Sequence, residues 1–365
     1  MSGGQSPLER DLDLDALRSN HERLTANLPE ATALICSVKA NAYGHGVLTI
    51  VRALDELGVW GVATASAPDA LALRNAGVHS RILLFGGQPP ADLARLARHG
   101  TTVTVTNAEC VEALADDGVE ARAFLKVDSG LGRLGVPVDE AERFVRDTLL
   151  PAGIRLDGIY THLPFHDDAG ERWARAGLAA FDELVSRLRT AGIAPPIVQA
   201  LSSPGIAAGL PLCGNAVCPG RLLYGFIPSV GDSGRWGLRP VLRSLRTAIV
   251  HVRRHTADAR IGGSGRHEVH AGDTTAVIGF GRSTGNLADV STRPQVVHRG
   301  RRVPVVSVSL EHATLDLGPT DAAVGDEVVI LGGDGDQAVS LGELGEWCHL
   351  EPLDALVALD RSAAP

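Results

Sequence analysis

The chain has 365 residues, of which 44% are hydrophobic and 21% charged, a composition that excludes a disordered chain and allows a large core. Its 34 basic and 43 acidic residues give a net charge of −9, which argues against a protein that binds the phosphates of nucleic acids. At this length the chain can form two ordinary domains, or one barrel with a smaller domain.

Strand and helix patterns alternate along the first two thirds of the chain. Short apolar or β-branched runs predict strands at residues 33–38, 60–65, 81–85, 101–105, 123–127, 156–161, 197–201 and 222–224. Helical periodicity predicts helices at residues 47–57, 67–76, 91–98, 108–116 and 172–191. This rhythm predicts an α/β fold, a (β/α)8 TIM-type barrel over residues 11–236, with a doubly wound parallel sheet as the alternative.

The helical periodicity disappears from residue 237 onward. Apolar runs at residues 245–252, 274–280, 303–309 and 327–331 predict strands joined by Gly and Asp turns. The glycine-rich stretch 262–272 is predicted to be a loop. We therefore expect residues 237–365 to form a second, mostly β domain.

Signals for export or for a membrane are absent from the sequence. No apolar stretch approaches the ~18 residues of a transmembrane helix, and the polar residues 1–15 lack the apolar core of a signal peptide. The five cysteines are scattered and form no Cys-X-X-Cys motif. We therefore expect reduced thiols, neither disulfides nor a metal site, and a cytoplasmic protein that binds no membrane.

Lysine is rare in this chain, since Lys39 and Lys126 are the only lysines among its 34 basic residues. Lys39 follows the first predicted barrel strand, and (β/α)8 barrels place catalysis at the carboxyl ends of their strands. A neutral lysine amine at that position can form a Schiff base with a carbonyl cofactor, which arginine cannot do. A surface salt bridge is the alternative role for Lys39.

Motifs in chain order resemble those of one enzyme family. The sequence SVKANAYGHG (residues 37–46) closely resembles the pyridoxal-phosphate lysine motif of alanine racemases. Four later segments are similar to further motifs of that family: LKVDSGLGRLG (125–135), GIYTHL (158–163), LSS (201–203) and CPGRLLYG (218–225). The similarity covers nearly the whole chain, strongly over the predicted barrel and loosely after it.

This resemblance implies a pyridoxal 5′-phosphate enzyme that acts on a small amino-acid substrate. It makes Lys39 the Schiff-base lysine and the base on one face of the substrate. The phosphate group would be held by Tyr43, the Ser203 hydroxyl and the backbone N–H groups of Gly220 and Arg221, and backbone donors of this kind suit an anion.

Other implied positions surround the rest of the cofactor. Arg133 would face its phenolic oxygen, and Lys126 would support Arg133, in some relatives as a carbamate. His162 and Cys218 complete the implied cofactor site. Packing, loop or ion-pair roles remain the alternative for Tyr43, Lys126, Arg133, His162 and Ser203.

Several positions depart from the family pattern. Cys218 stands where the family has an arginine that faces the pyridine nitrogen, and a thiol is a weak, neutral partner there. Ile261 stands where the family has a tyrosine, given by the partner subunit, that acts as the base on the opposite face. No tyrosine follows Tyr224, so the usual phosphate contact near the C-terminus is missing as well. Leu310 replaces a methionine of the substrate loop, and GFGRS (279–283) replaces a Gly-Tyr-Ala-Asp-Gly segment.

Histidines near Ile261 are candidates for the missing base, because imidazole is a general base near neutral pH. His267 and His270, with Glu268 between them, lie in the predicted loop, and His312 is a further candidate. The alternative is that all of them are solvated side chains.

Three functions are compatible with these features. The first is amino-acid racemisation with a substituted second base, in a head-to-tail homodimer whose β domains complete the partner's sites. The second is pyridoxal-phosphate chemistry with one base, such as aldol-type cleavage, side-chain transfer or decarboxylation. The third is a protein that binds the cofactor without catalysis.

Overall fold

The computed structural model describes residues 8–116, 121–228, 236–333 and 335–359. The chain divides into two compact units. The barrel unit contains Leu14–Ala42 and Gly46–Val241, and the β unit contains residues 8–13, Tyr43–His45 and residues 242–359. The first strand, β1 (Glu9–Leu12), belongs to the β unit.

Parallel strands form the sheet of the barrel unit. They are β2 (Ala33–Ser37), β3 (Gly61–Thr64), β4 (Arg81–Leu84), β5 (Val103–Val105), β6 (Arg122–Asp128), β8 (Arg155–Tyr160), β9 (Ile197–Ser202) and β10 (Ala216–Cys218). Their order is β4-β3-β2-β10-β9-β8-β6-β5, and a parallel bridge between Leu83 and Thr102 joins β4 to β5. A two-residue strand, β7 (Val136–Pro137), pairs with the end of β6. Over the described residues the ring is therefore an eight-stranded parallel barrel, which confirms the predicted fold and excludes the open, doubly wound sheet.

Helices follow most of these strands. Those described in the barrel unit are Leu14–Ala26, Val47–Glu56, Ala67–Asn75, Pro90–Arg98, Ala108–Asp116, Ala141–Phe144 with a π-helical continuation Val145–Leu149, Asp168–Thr190 and Ser203–Ala207. Among the described residues, no helix is both long and apolar enough to cross a membrane.

Apolar side chains fill the inside of the barrel. The central cluster consists of Ile35, Ala63, Leu83, Phe124, Tyr160, Ile197, Ala216 and Cys218. Gly158 makes room for the Phe124 ring, because a Cβ at this position would meet that ring at 2.5 Å. The barrel is thus a packed core, and only the loops at its mouth are available for chemistry.

The eighth strand differs from the sequence prediction. The predicted strand at 222–224 is wrong, because Arg221–Tyr224 is a 3-10 helix and the strand is β10, a few residues earlier. Tyr224 is fully buried and its hydroxyl donates to the Ser37 carbonyl at 3.1 Å. A three-residue apolar run marks burial equally well in a helix or a strand, which explains the error.

Antiparallel strands form the β unit. Its sheet has the order β1-β11-β14-β17-β16-β15-β18, with a further pairing of β11 and β18. The strands are β11 (Leu242–Arg254), β12 (Ala259–Ile261), β13 (His267–Val269), β14 (Thr274–Ile278), β15 (Gln295–His298), β16 (Arg301–Val308), β17 (Ala313–Gly318) and β18 (Glu327–Gly332). Helices Leu341–Cys348 and Pro352–Ala358 follow, the first with a capping box of Ser340 and Glu343.

The predicted loop at 262–272 is partly wrong. Strands β12 and β13 pair as an antiparallel hairpin, so His267 and Glu268 lie on a strand. Most glycines of this stretch belong to the turn of the hairpin. They made the whole stretch look like a loop, although Val269 is buried on β13.

Candidate active site

The predicted site residues of the barrel unit lie at one end of the barrel. Lys39 follows β2, Lys126 lies in β6, His162 follows β8, Ser203 follows β9 and Cys218 ends β10. Because these strands are parallel, their carboxyl ends lie at the same end of the barrel, which we call its mouth. The structure thus brings together side chains that are far apart in the sequence.

Lys39 begins an unusual turn. Ala40, Asn41, Ala42 and Tyr43 all have φ between 50° and 56°, a left-handed conformation that costs roughly 1–2 kcal/mol for each non-glycine residue. Asn41 stabilises the turn, since its side-chain oxygen accepts from the Val47 N–H at 2.6 Å and its carbonyl accepts from the Gly46 N–H at 3.0 Å. Strain of this kind is concentrated at functional sites. Tyr43, the last residue of the turn, is part of the β unit.

The amine of Lys39 is available for reaction. The side chain is half-buried, and its Nζ lies 5.9 Å from the centre of the Phe85 ring. In the part of the chain that the structure describes, Lys39 forms no salt bridge with a carboxylate. The surface salt bridge considered from the sequence is therefore not seen there.

The pKa of His162 is unusually low. Burial is the main cause, and together with the charges of Lys39, Lys126 and Arg133 it lowers the pKa to about 3. The imidazole is therefore neutral at physiological pH. The same electrostatic interactions couple His162 to three basic side chains of the barrel unit.

Lys126 is buried and lies over an aromatic ring. Its Nζ is 5.0 Å from the centre of the Tyr160 ring and donates to the Val127 carbonyl at 3.2 Å. Burial lowers its pKa to about 7, the Arg133 charge adds to the effect, and Asp128 opposes it. Arg133 is exposed. Neither cation has a salt bridge within the described residues, so the ordinary ion pair considered from the sequence is not seen.

Two serines lie where β9 ends, close to the chain that follows β10. The Ser203 hydroxyl is buried and accepts from the backbone N–H groups of Gly220 at 3.0 Å and Leu222 at 3.3 Å. The hydroxyl of the preceding residue, Ser202, is buried without a hydrogen-bond partner in the described residues. An unpaired buried hydroxyl costs about 1–3 kcal/mol, so a ligand with acceptor oxygens would be stabilised there. The half-buried Arg221 opens the helix that follows Gly220.

Cys218 is buried at the end of β10. It pairs with Ser202 across β10 and β9. Burial raises the pKa of its thiol to about 12, although the Lys39 charge acts in the opposite direction. The thiol is therefore neutral, and it adds no charge to the mouth.

The candidate bases of the β unit have different surroundings. His267 is half-buried, and its Nε2 lies 2.7 Å from Asp316 Oδ2. His270 is exposed, with its Nδ1 3.6 Å from the exposed Asp258. Glu268 pairs with Arg260 at 2.9 Å, and His312 is exposed. Sequence reasoning missed Asp316, which lies 49 residues from His267 and has no local motif.

Comparisons with known proteins match the whole chain. A model of the alanine racemase N-terminal domain matches residues 12–228, and one of the C-terminal domain matches residues 242–364. An alanine racemase of Geobacter sulfurreducens is 31% identical over 97% of this chain and 95% of its own length.

Solved structures agree with these matches. The alanine racemase of Bacillus anthracis, solved with bound L-Ala-P, has a TM-score of 0.86 and 26% identity, covering 98% of this chain and 94% of its own. The alanine racemase from Streptomyces lavendulae, a D-cycloserine producer, has a TM-score of 0.83 and 26% identity, covering 98% and 96%. The chain therefore belongs to the alanine racemase family, a family of pyridoxal 5′-phosphate-dependent isomerases.

Proposed function

We propose that this protein is an amino-acid racemase in which Lys39 binds pyridoxal 5′-phosphate covalently and exchanges a proton with the substrate Cα. The observation that carries the proposal is Lys39 itself. It is half-buried at the barrel mouth, it has no carboxylate partner in the described residues, and its charge is one cause of the lowered pKa of His162. An amine in this setting can act both as a nucleophile and as a base.

The residues of the mouth fit the cofactor. The phosphate would be held by the Ser203 hydroxyl, the backbone N–H groups of Gly220 and Arg221, and Tyr43. The unpaired Ser202 hydroxyl supports this assignment, because it offers a buried donor that has no acceptor within the described residues. Arg133 would face the phenolic oxygen, and His162 and Cys218 would contact the ring.

The cofactor supplies one chemical property when bound: it withdraws electrons from the substrate and so acidifies the hydrogen on Cα. The chain's own groups then move the proton. Lys39 removes it from, or returns it to, one face of Cα. Arg133, and Lys126 below its pKa of about 7, add positive charge, which favours an amino-acid carboxylate at the mouth.

Inversion needs a second proton-transfer group on the opposite face of Cα. Ile261 has no titratable group, so we assign this role to His267 or His270 from the β unit of a second subunit. This assignment makes the active protein a homodimer, in which the β unit of each subunit completes the active site of its partner.

A second function is favoured by one observation. The neutral Cys218 thiol leaves the cofactor ring without the charged arginine of the family pattern, so bonds other than Cα–H become easier to break. One-base cleavage, side-chain transfer or decarboxylation of an amino acid would then need only Lys39.

We also propose that the protein works in the cytoplasm. All five cysteines are free thiols in the structure, and four of them are buried. Reduced thiols of this kind are typical of a reducing compartment.

Proton NMR in heavy water distinguishes the two functions. The holoenzyme is incubated with a panel of separate L- and D-amino acids, and the Cα signal and the products are followed. Exchange with inversion supports racemisation, whereas loss of carbon dioxide or of a side-chain aldehyde supports one-base cleavage. If no amino acid exchanges or reacts, both are wrong and only cofactor binding remains.

A further inference from the structure

A hydrogen-bonded pair of side chains links two strands of the β unit. His267 lies on β13 and Asp316 on β17, with 2.7 Å between His267 Nε2 and Asp316 Oδ2. The other carboxylate oxygen, Oδ1, accepts from the Gly318 N–H at 2.9 Å. Both oxygens of Asp316 are thus held, so the carboxylate fixes the orientation of the imidazole.

This arrangement also fixes where the proton lies on the ring. A carboxylate can only accept, so in the neutral imidazole the hydrogen lies on Nε2 of His267 and the lone pair on Nδ1. The side chain of His267 is 31% exposed and that of Asp316 is 19% exposed. The basic nitrogen belongs to a side chain that a ligand can reach, while the supporting carboxylate is mostly covered.

The hairpin places this imidazole beside Ile261. Ile261 and His267 are direct cross-strand partners on β12 and β13. Directly opposite residues point to the same face of a hairpin, with Cβ atoms about 4.5–5.5 Å apart. The nearby charged pair of the hairpin, Arg260 and Glu268, is satisfied internally at 2.9 Å.

Other histidines of the β unit lack this combination of support and access. His298 contacts Asp326 but is only 2% exposed, and His349 contacts Asp289 at 3.4 Å with both side chains open to solvent. His255 is buried and bonded to the Thr275 hydroxyl. His270 is 3.6 Å from a carboxylate that is itself 76% exposed. Among the described histidines of the β unit that contact a carboxylate, His267 has the shortest contact, 2.7 Å, and its side chain is still partly exposed.

We infer that His267 is the catalytic base on the face of the substrate opposite Lys39, and that Asp316 is its positioning residue. The inference rests on the proposed racemase function and on a second subunit that supplies the dyad. Nδ1 takes the Cα proton from one enantiomer and becomes an imidazolium, while the electron pair stays with the substrate. Lys39, as an ammonium, returns a proton to the other face. The reverse reaction exchanges these roles, so no net proton or electron is needed.

The test compares the two enantiomers of a substrate that the holoenzyme racemises. Exchange of the Cα hydrogen in heavy water is measured from each enantiomer separately for wild type, His267→Asn, Asp316→Asn and Asp316→Glu. His349→Asn serves as the matched control, because it removes an exposed histidine from another His–Asp contact of the same unit. The visible absorbance of the bound cofactor reports an intact barrel site in each variant.

We expect His267→Asn to slow exchange from one enantiomer by roughly 100-fold or more, the usual contribution of a general base. Exchange from the other enantiomer, by Lys39, continues with retention and with an unchanged cofactor spectrum. Asp316→Asn reproduces the one-sided loss and Asp316→Glu restores part of it, whereas a purely structural role would lower both rates equally. If His267→Asn does not fold, His267→Gln replaces it.

Two results would overturn the inference in different ways. If the wild type racemises a substrate and His267→Asn does so at a rate within a few-fold of the wild type, the role of the His267–Asp316 pair is wrong and the proposed function stands. A wild type that exchanges neither enantiomer of any amino acid overturns the proposed function and the dyad with it.

Discussion

Lys126 Nζ lies 5.0 Å from the centre of the Tyr160 ring, and both side chains are buried inside the barrel unit. An aromatic face attracts a cation, but it does not replace the water that burial removes. This contact therefore coexists with a pKa of about 7 for Lys126. A lysine that loses its proton near neutral pH makes the stability of the barrel depend on pH.

The sign of that dependence follows from proton counting. The ordinary pKa of lysine is 10.5 and the folded value is about 7, so between them the unfolded chain holds a proton that the folded chain has released. For this group the free energy of unfolding rises with pH across that window, and the cost of burial is fully present below it.

Lys126→Met should therefore be more stable than wild type at low pH, and the difference should shrink as the pH rises from about 6 to about 10. Urea unfolding of both proteins across this range measures the difference. Taking the difference cancels other titrating groups, because they are common to both proteins. A difference that does not change with pH would contradict the lowered pKa.

Lys39→Ala should lose the visible absorbance of the bound cofactor, because the other lysine, Lys126, is buried against the Tyr160 ring and bonded to the Val127 carbonyl. Lys39→Arg is the matched variant, since it keeps the positive charge but cannot bind a carbonyl group covalently. We expect the absorbance band to disappear in both. A variant that retains the band would show that the cofactor is attached elsewhere.

A shared active site predicts complementation between two inactive variants. Lys39→Ala and His267→Asn homodimers should each lack racemisation, but a mixed dimer contains one site with both groups intact. Random mixing makes about half of the dimers mixed. Each mixed dimer has one intact site out of two, so about one quarter of wild-type activity should return. Subunits are mixed after reversible dissociation, and inversion is followed by NMR. No recovery, with mixed dimers shown to form, would exclude a site completed by the partner.

Alanine should be a poor substrate. Leu310 is 69% exposed in the turn between β16 and β17. The sequence resemblance predicts that Leu310 replaces a methionine of the family's substrate loop and that Ile261 replaces its tyrosine. We expect kcat/KM for L- and D-alanine below ~10⁴ M⁻¹s⁻¹, the lower end of the ordinary enzyme range. A value above it would show that alanine is a good substrate without that tyrosine.

The barrel could be predicted because its strands are buried on both sides. Strands such as β2 and β3 are short runs of apolar or small residues between turn signals, and this pattern does not depend on distant residues. The first helix, Leu14–Ala26, was missed because polar residues interrupt its apolar face. Its buried Asn20 bonds to the backbone carbonyls of Leu223 and Arg239, a tertiary role that no local pattern reveals.

The candidate site was predictable only where motifs are local. Lys39 and Ser203 lie in motifs that the sequence displays directly. The lowered pKa of Lys126 and the unpaired Ser202 hydroxyl depend on burial, which only the folded chain defines. The contact of Asp316 with His267 depends on how distant strands pair. The left-handed turn after Lys39 contains no glycine, the residue that usually indicates such a conformation in a sequence.

That turn has a consequence for the evolution of heat-resistant variants. The exposed Ala40 adopts a backbone conformation that glycine would adopt without steric cost. Glycine at this position would remove roughly 1–2 kcal/mol of strain and lose about 0.5–1 kcal/mol of chain entropy. A screen for stability alone would thus favour glycine, yet the replacement would make the backbone next to Lys39 more flexible. Selection for activity and selection for stability oppose each other at Ala40.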